Sequence, residues 1–238
     1  MRKPNTFSLS GRALASVNAA VLGLALGGAG AASAGFITTH AAGLDAIFSQ
    51  AGFGGQTIDT SFNAGLNVAN TALLSIDTDA EFDALFSLSV YSGRNSKTIN
   101  MIFVDAINFC GAAGSYIGCG NTPGNLLVVS SSFAARADVG ANLEAHELGH
   151  NLGLDHVNGS GSNLMNPSIS SNFSLDAAQI QAILASSLVQ TASNGQRFLS
   201  ITPIAIVASV PETQTWAMFA LGLFGVMAWA RRRGVRVV

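Results

Sequence analysis

Apolar residues are unevenly spread along this chain: they crowd into a run near each end, and between the runs they recur at spacings that alternate between helical and extended. Leu44, Ile47 and Phe48 fall at helical spacing within His40 to Phe53, which predicts a short helix ending before Gly54-Gly55. Thr57 to Phe62 sets Ile58 and Phe62 among polar residues and suits a short strand, whereas Leu66 to Ile76 fits strand and helix equally. Asp79 reads as the N-cap of a helix carrying Phe82, Leu85 and Phe86. Thr98 to Ile107 is apolar enough to lie inside a sheet, and Leu126 to Ser130, after the turn residues Pro123-Gly124, predicts a second strand. Asp138 to Leu152 reads as a long helix with Leu143, Leu148 and Leu152 available to pack on that sheet. Ser174 then caps a helix running to about Leu188, and Phe198 to Val210 reads as linker or final strand.

Composition changes this picture mainly at the ends. The 238 residues are 49% hydrophobic and only 10% charged. Arg2, Lys3 and Arg12 precede an apolar stretch closing in Ala32-Ser33-Ala34, the layout of a secretory signal peptide cleaved before Gly35. At the other end Val210-Pro211-Glu212 is followed by the apolar run Thr215 to Ala230 and by Arg231-Arg232-Arg233, which predicts a transmembrane segment with a cytoplasmic tail. The expected organisation is a signal peptide (1–34), a main domain (35–190), a linker or final strand (191–209) and an anchoring segment (210–238) with its span at 215–230.

Without the ends the chain is acidic. Residues 35–209 hold four bases (Arg94, Lys97, Arg136, Arg197) against twelve acids, a net charge of −8, which excludes nucleic acid as an expected partner. The two cysteines, Cys110 and Cys119, are even in number in an exported chain and predict a disulfide across a glycine-rich loop.

Three of the four histidines stand in HELGHNLGLDH, residues 146 to 156. His146 and His150 are four apart, so a helix projects both from one face toward a single Zn²⁺. Glu147 lies beside them, placed to act as general base on a zinc-bound water. Gly153 can take a left-handed conformation and turn the chain so that His156 becomes the third ligand, leaving a fourth position open.

The long form H-E-x-x-H-x-x-G-x-x-H with a downstream methionine resembles the metzincin zinc metallopeptidases. The resemblance implies that Met165, in Asn163-Leu164-Met165-Asn166-Pro167, forms an apolar floor beneath the zinc. It also implies an α+β fold, a twisted mixed sheet with packed helices and an active-site zinc helix, in which an extended peptide pairs with an edge strand; Leu126 to Ser130 is the expected strand. Some branches of the family carry a tyrosine two residues after the methionine, where this chain has Pro167, and the branch stays open. The last thirty residues resemble the PEP-CTERM sorting signals of Gram-negative bacteria, which implies a membrane contact, an exosortase-type processing enzyme and a place at the cell envelope. The function expected is an exported zinc endopeptidase acting on proteins or peptides. A surface-displayed binding or matrix protein with a structural zinc site, and a zinc amidohydrolase acting on a non-peptide amide, are the other readings. Glu147 argues against the first, because a structural site has no use for a general base.

Overall fold

In the computed structural model the described residues are 34–158, 161–171, 173–209, 221–229 and 231. The chain divides into two units, Met1–Ala31 and Ala32–Val238. The first, with nearly all of the expected signal peptide, lies outside the described residues.

The elements follow in order as α1 (Ala41–Ile47), β1 (Ile58–Phe62), β2 (Leu66–Ala69), β3 (Ser75–Ile76), α2 (Asp79–Ala84), β4 (Thr98–Val104), β5 (Ala106–Phe109), β6 (Ala113–Tyr116), β7 (Gly118–Gly120), β8 (Leu126–Ser130), α3 (Ser131–Ala134), α4 (Gly140–Asn151), α5 (Ala177–Ala185), β9 (Gln190–Thr191) and β10 (Arg197–Val207). The mixed α+β class expected from the sequence is what these elements build. The main sheet runs β1, β10, β4, β8, β7. Its first four strands are parallel to their neighbours, and β7 is antiparallel to β8. β10 is long enough to pair with β1 along its first half and with β2 along its second, while β4 holds its other side. The segment left between linker and strand is therefore a strand at the middle of the sheet.

Alternation along the central strands sorts side chains to two faces. Met101, Phe103, Leu127 and Val129 join one core with Leu44, Phe48, Leu143, Leu148 and Ile183 from the helices. Ile102, Val104, Leu126 and Val128 join a second with Leu73, Ile76 and Ile107, beneath the small sheet β3, β5, β6. With both faces covered, β4 and β8 are buried along nearly their whole length and mostly apolar, as buried parallel strands require.

Several expectations are corrected. Leu126 to Ser130 is not an edge: β8 is flanked by β4 and β7, and the three-residue β7 is the edge on that side. The strand expected over Thr98 to Ile107 breaks at Asp105, and its continuation leaves for the small sheet. Thr78, not Asp79, caps α2, and Asp176, not Ser174, caps α5 through a capping box with Gln179. In each case two capping residues stand close together: the Thr78 hydroxyl accepts the Glu81 N–H, and Ser174 is taken by a bridge to Asn163.

The membrane anchor is also corrected. Among the described residues no helix is long and apolar enough to cross a membrane. Of the expected span 215–230, residues 221–229 are described, and they are helical. The PEP-CTERM-type signal, the membrane partner and the exosortase-type partner fall with it; Pro211, Glu212, Trp216, Arg232 and Arg233 lie outside the described residues.

Candidate metal centre and cleft

α4 carries the first two histidines and ends where the sequence supplies a glycine. Gly153 adopts φ +97°. Its N–H donates to the His150 carbonyl at 2.9 Å, and the Leu154 N–H donates to the Gly149 carbonyl at 2.9 Å, a Schellman closure that reverses the chain. His156 thereby returns to the helix.

The three rings meet at their Nε2 atoms. His146 and His150 each place Nε2 3.2 Å from Nε2 of His156. A tetrahedral zinc with Zn–N bonds of about 2.0–2.1 Å holds its nitrogens about 3.3–3.4 Å apart, so this spacing fits one ion. The other ring nitrogens settle the tautomers. His146 Nδ1 donates to the Leu164 carbonyl at 2.7 Å, and His150 Nδ1 donates to the Leu154 carbonyl at 2.8 Å. Both Nε2 atoms therefore offer lone pairs, and a single N–H on His156 could satisfy only one of them. A cation resolves that conflict, and His146, His150 and His156 are the one cluster with metal-ligand spacing among the described residues. Burial, reinforced by the neighbouring imidazoles, holds His146 down to about 4, and burial also lowers His150, so both stay neutral at physiological pH. The fourth histidine stands apart: His40 donates from Nε2 to the Ala134 carbonyl at 2.6 Å, and its backbone N–H donates to Glu144 at 3.2 Å.

Glu147 is buried beside the triad, and one carboxylate oxygen, Oε2, has no hydrogen-bond partner. Burial pushes its carboxyl up to about 8. Gly118 and Gly120 of the edge strand leave room for it. A Cβ on Gly118 would collide with the Glu147 carboxyl, and one on Gly120 would press on the Glu147 carbonyl and His150 Cβ. Met165 is fully buried, and its sulfur lies so close to Gly149 that a Cβ there would strike it. The methionine thus packs beneath the helix segment that carries His146 and His150.

These groups open onto a groove of about 510 Å³ lined by the triad, Glu147, Gly118, Gly120, Tyr116, Ile117, Pro167 and Ile169. The Cys110–Cys119 disulfide is formed and borders the same groove. Of the two tyrosines, Tyr116 faces the groove, whereas the Tyr91 hydroxyl donates to Asn125. The spacing of the histidines makes the candidate ligand set legible in the sequence. Gly118, Gly120 and the carbonyls of Leu154 and Leu164 are not, because their roles arise only when distant segments meet.

Metallo-peptidase family M12B Reprolysin-like is matched by residues 55–157. The match covers β1 through the third histidine and stops before Met165, α5 and β10. No curated protein and no solved structure matches the chain. The family match and the histidine cluster together mark the chain as an enzyme of the zinc metallopeptidase kind.

Proposed function

We propose that the protein is an exported endopeptidase that uses one Zn²⁺ held by His146, His150 and His156, with Glu147 as its general base. The observation that carries this reading is a buried, partly unpartnered carboxylate directly beside three converging imidazole lone pairs. Zinc, when bound, supplies a Lewis acid that acidifies water and polarises a carbonyl. Glu147 takes the proton of the attacking water at a carboxylate oxygen and passes it to the leaving amine. Its carboxyl near 8 in the metal-free site moves down once a positive charge stands beside it, which leaves it ionised and able to accept that proton.

Substrate is held as an extended chain. β7 pairs with β8 on one side only, and its other backbone edge borders the groove. An added strand satisfies that edge, and the missing side chains at Gly118 and Gly120 allow close approach to Glu147. Tyr116, Ile117, Pro167 and Ile169 give the groove apolar walls. Export is part of the reading, supported by the N-terminal pattern of basic, apolar and A-x-A residues and by the disulfide, which persists outside the reducing cytoplasm.

A peptide library incubated with the protein tests the reading. Cleavage at internal peptide bonds, identified by mass spectrometry, abolished by dipicolinate and restored by zinc, is the expected result. Cleavage that survives complete removal of metal would contradict it.

A further inference from the structure

We propose that the Asn163–Gln179 amide pair is a positioning device of the metal centre, locking the turn that carries Leu164 and Met165 so that His146 and His156 meet the ion correctly. The inference rests on the zinc reading above and assigns a role to α5, which lies outside the family match.

Both amides are buried, Asn163 at 8% exposure and Gln179 at 7%. They face each other reciprocally: Asn163 Nδ2 donates to Gln179 Oε1 at 2.8 Å, and Gln179 Nε2 donates to Asn163 Oδ1 at 3.1 Å. Each acceptor is also shared with a backbone donor. Asn163 Oδ1 receives the Met165 N–H at 2.8 Å, and Gln179 Oε1 receives the Asp176 N–H at 2.9 Å. Two apolar side chains could fill the same volume at little cost, so what the amides add is direction. They tie the turn at 163–165 to the first turn of α5, where the capping box already fixes Asp176 and Gln179. Backbone bonds from Leu164 N to the Ser174 carbonyl at 2.8 Å and from Ser174 N to the Ser162 carbonyl at 3.1 Å close the same loop.

The turn's two carbonyls then reach one of the metal ligands and the chain neighbour of another. The Leu164 carbonyl accepts the His146 Nδ1 proton, which fixes that ring's tautomer and tilt. The Met165 carbonyl accepts the Val157 N–H at 2.9 Å, next to His156. Rotating the turn would disturb both ligands together. Gln179 touches neither histidine; it acts through Asn163 and the turn.

The test uses the full chain and compares Gln179→Met, which keeps length and volume but removes both hydrogen bonds to Asn163 and the one from the Asp176 N–H, with Ile183→Val, which trims the buried core side of the same helix. Zinc affinity is read by competition with a chromophoric chelator, ligand geometry by the visible spectrum of the cobalt-substituted protein, and fold integrity by metal-free melting. Gln179→Met is expected to weaken zinc binding by about 10- to 100-fold and to change the cobalt spectrum, while Ile183→Val binds zinc like wild type. Asn163→Asp, which keeps the acceptor for Met165 N–H and loses the donor to Gln179, gives a smaller loss in the same direction and serves if Gln179→Met does not fold. Wild-type zinc affinity in Gln179→Met, or in Asn163→Asp where that is the folded variant, overturns the inference and leaves the peptidase reading intact. Equal weakening by Ile183→Val also overturns it, by assigning the effect to helix packing. A wild-type protein that binds no zinc overturns the peptidase reading as well.

Discussion

Glu144 and Glu147 lie three residues apart on one helix in different surroundings, and burial pushes the carboxyls of both up. Glu147 borders the groove; Glu144, three residues earlier, is fully buried away from it and is pushed up to about 8 by burial. Above about 4.5, an unfolded chain has released the Glu144 proton that the folded chain retains, so folding stability declines as pH rises toward 8. His146 works in the other direction. Its folded value near 4 lies below the ordinary 6.5, so the unfolded chain binds the extra proton and stability declines as pH falls from about 6.5 to 4. In the metal-free protein, Glu144→Gln is expected to lose less stability than wild type between pH 5 and pH 8, measured by urea unfolding. Parallel pH dependences for the two would refute the assignment. Gly118→Ala is a second residue-scale test: the added methyl meets the Glu147 carboxyl, so activity drops sharply and stability falls by about 1–3 kcal/mol with zinc content unchanged. Such a glycine is invisible in the sequence, where Gly118 and Gly120 read only as part of a glycine-rich loop. Their meaning depends on what α4 places opposite them. The histidines are different, since four-residue spacing on a helix fixes a common face before any tertiary contact exists.

At the scale of elements, the edge strand is the weak point of the cleft. β7 has three residues, two of them glycine, one ladder partner and no side chain to bury except Cys119. The disulfide ties that cysteine to Cys110, just beyond β5, and so anchors the edge of the main sheet to the small sheet. Replacing both cysteines by serine is expected to cost about 2.5 kcal/mol of stability, from loop closure over a separation of nine residues. Catalysis should suffer more than zinc binding, because β7 contributes no metal ligand. Thermal unfolding with parallel measurements of zinc content and KM checks this; unchanged KM in a folded, zinc-bound variant would show that the disulfide does not hold the substrate edge. Choosing β8 as the edge from chain order fails for a physical reason. An apolar run of four closed by a serine looks the same whether one neighbour or two pairs with it, and β7 is too short to announce itself.

Across the whole molecule, the fold is closed by its far end. β10 lies between β1 and β4, so a strand near residue 200 completes a sheet whose other members lie between residues 58 and 130, apart from the two-residue β9. Parallel pairing between segments so distant leaves no local trace, which is why the apolar run from Phe198 fits linker and strand alike when only sequence is considered. The family-matched stretch 55–157 has no β10, no α5 and no Met165, and is expected not to fold alone, whereas 35–209 should fold cooperatively. Far-UV circular dichroism with urea titration distinguishes the two, and a cooperative transition in 55–157 would contradict this account of the sheet. The central claim is tested most directly by comparing wild type with Glu147→Gln at equal, measured zinc occupancy. The account predicts one zinc per chain in both and peptide cleavage slower by about 100- to 10,000-fold in the variant. Equal rates at equal zinc would contradict it.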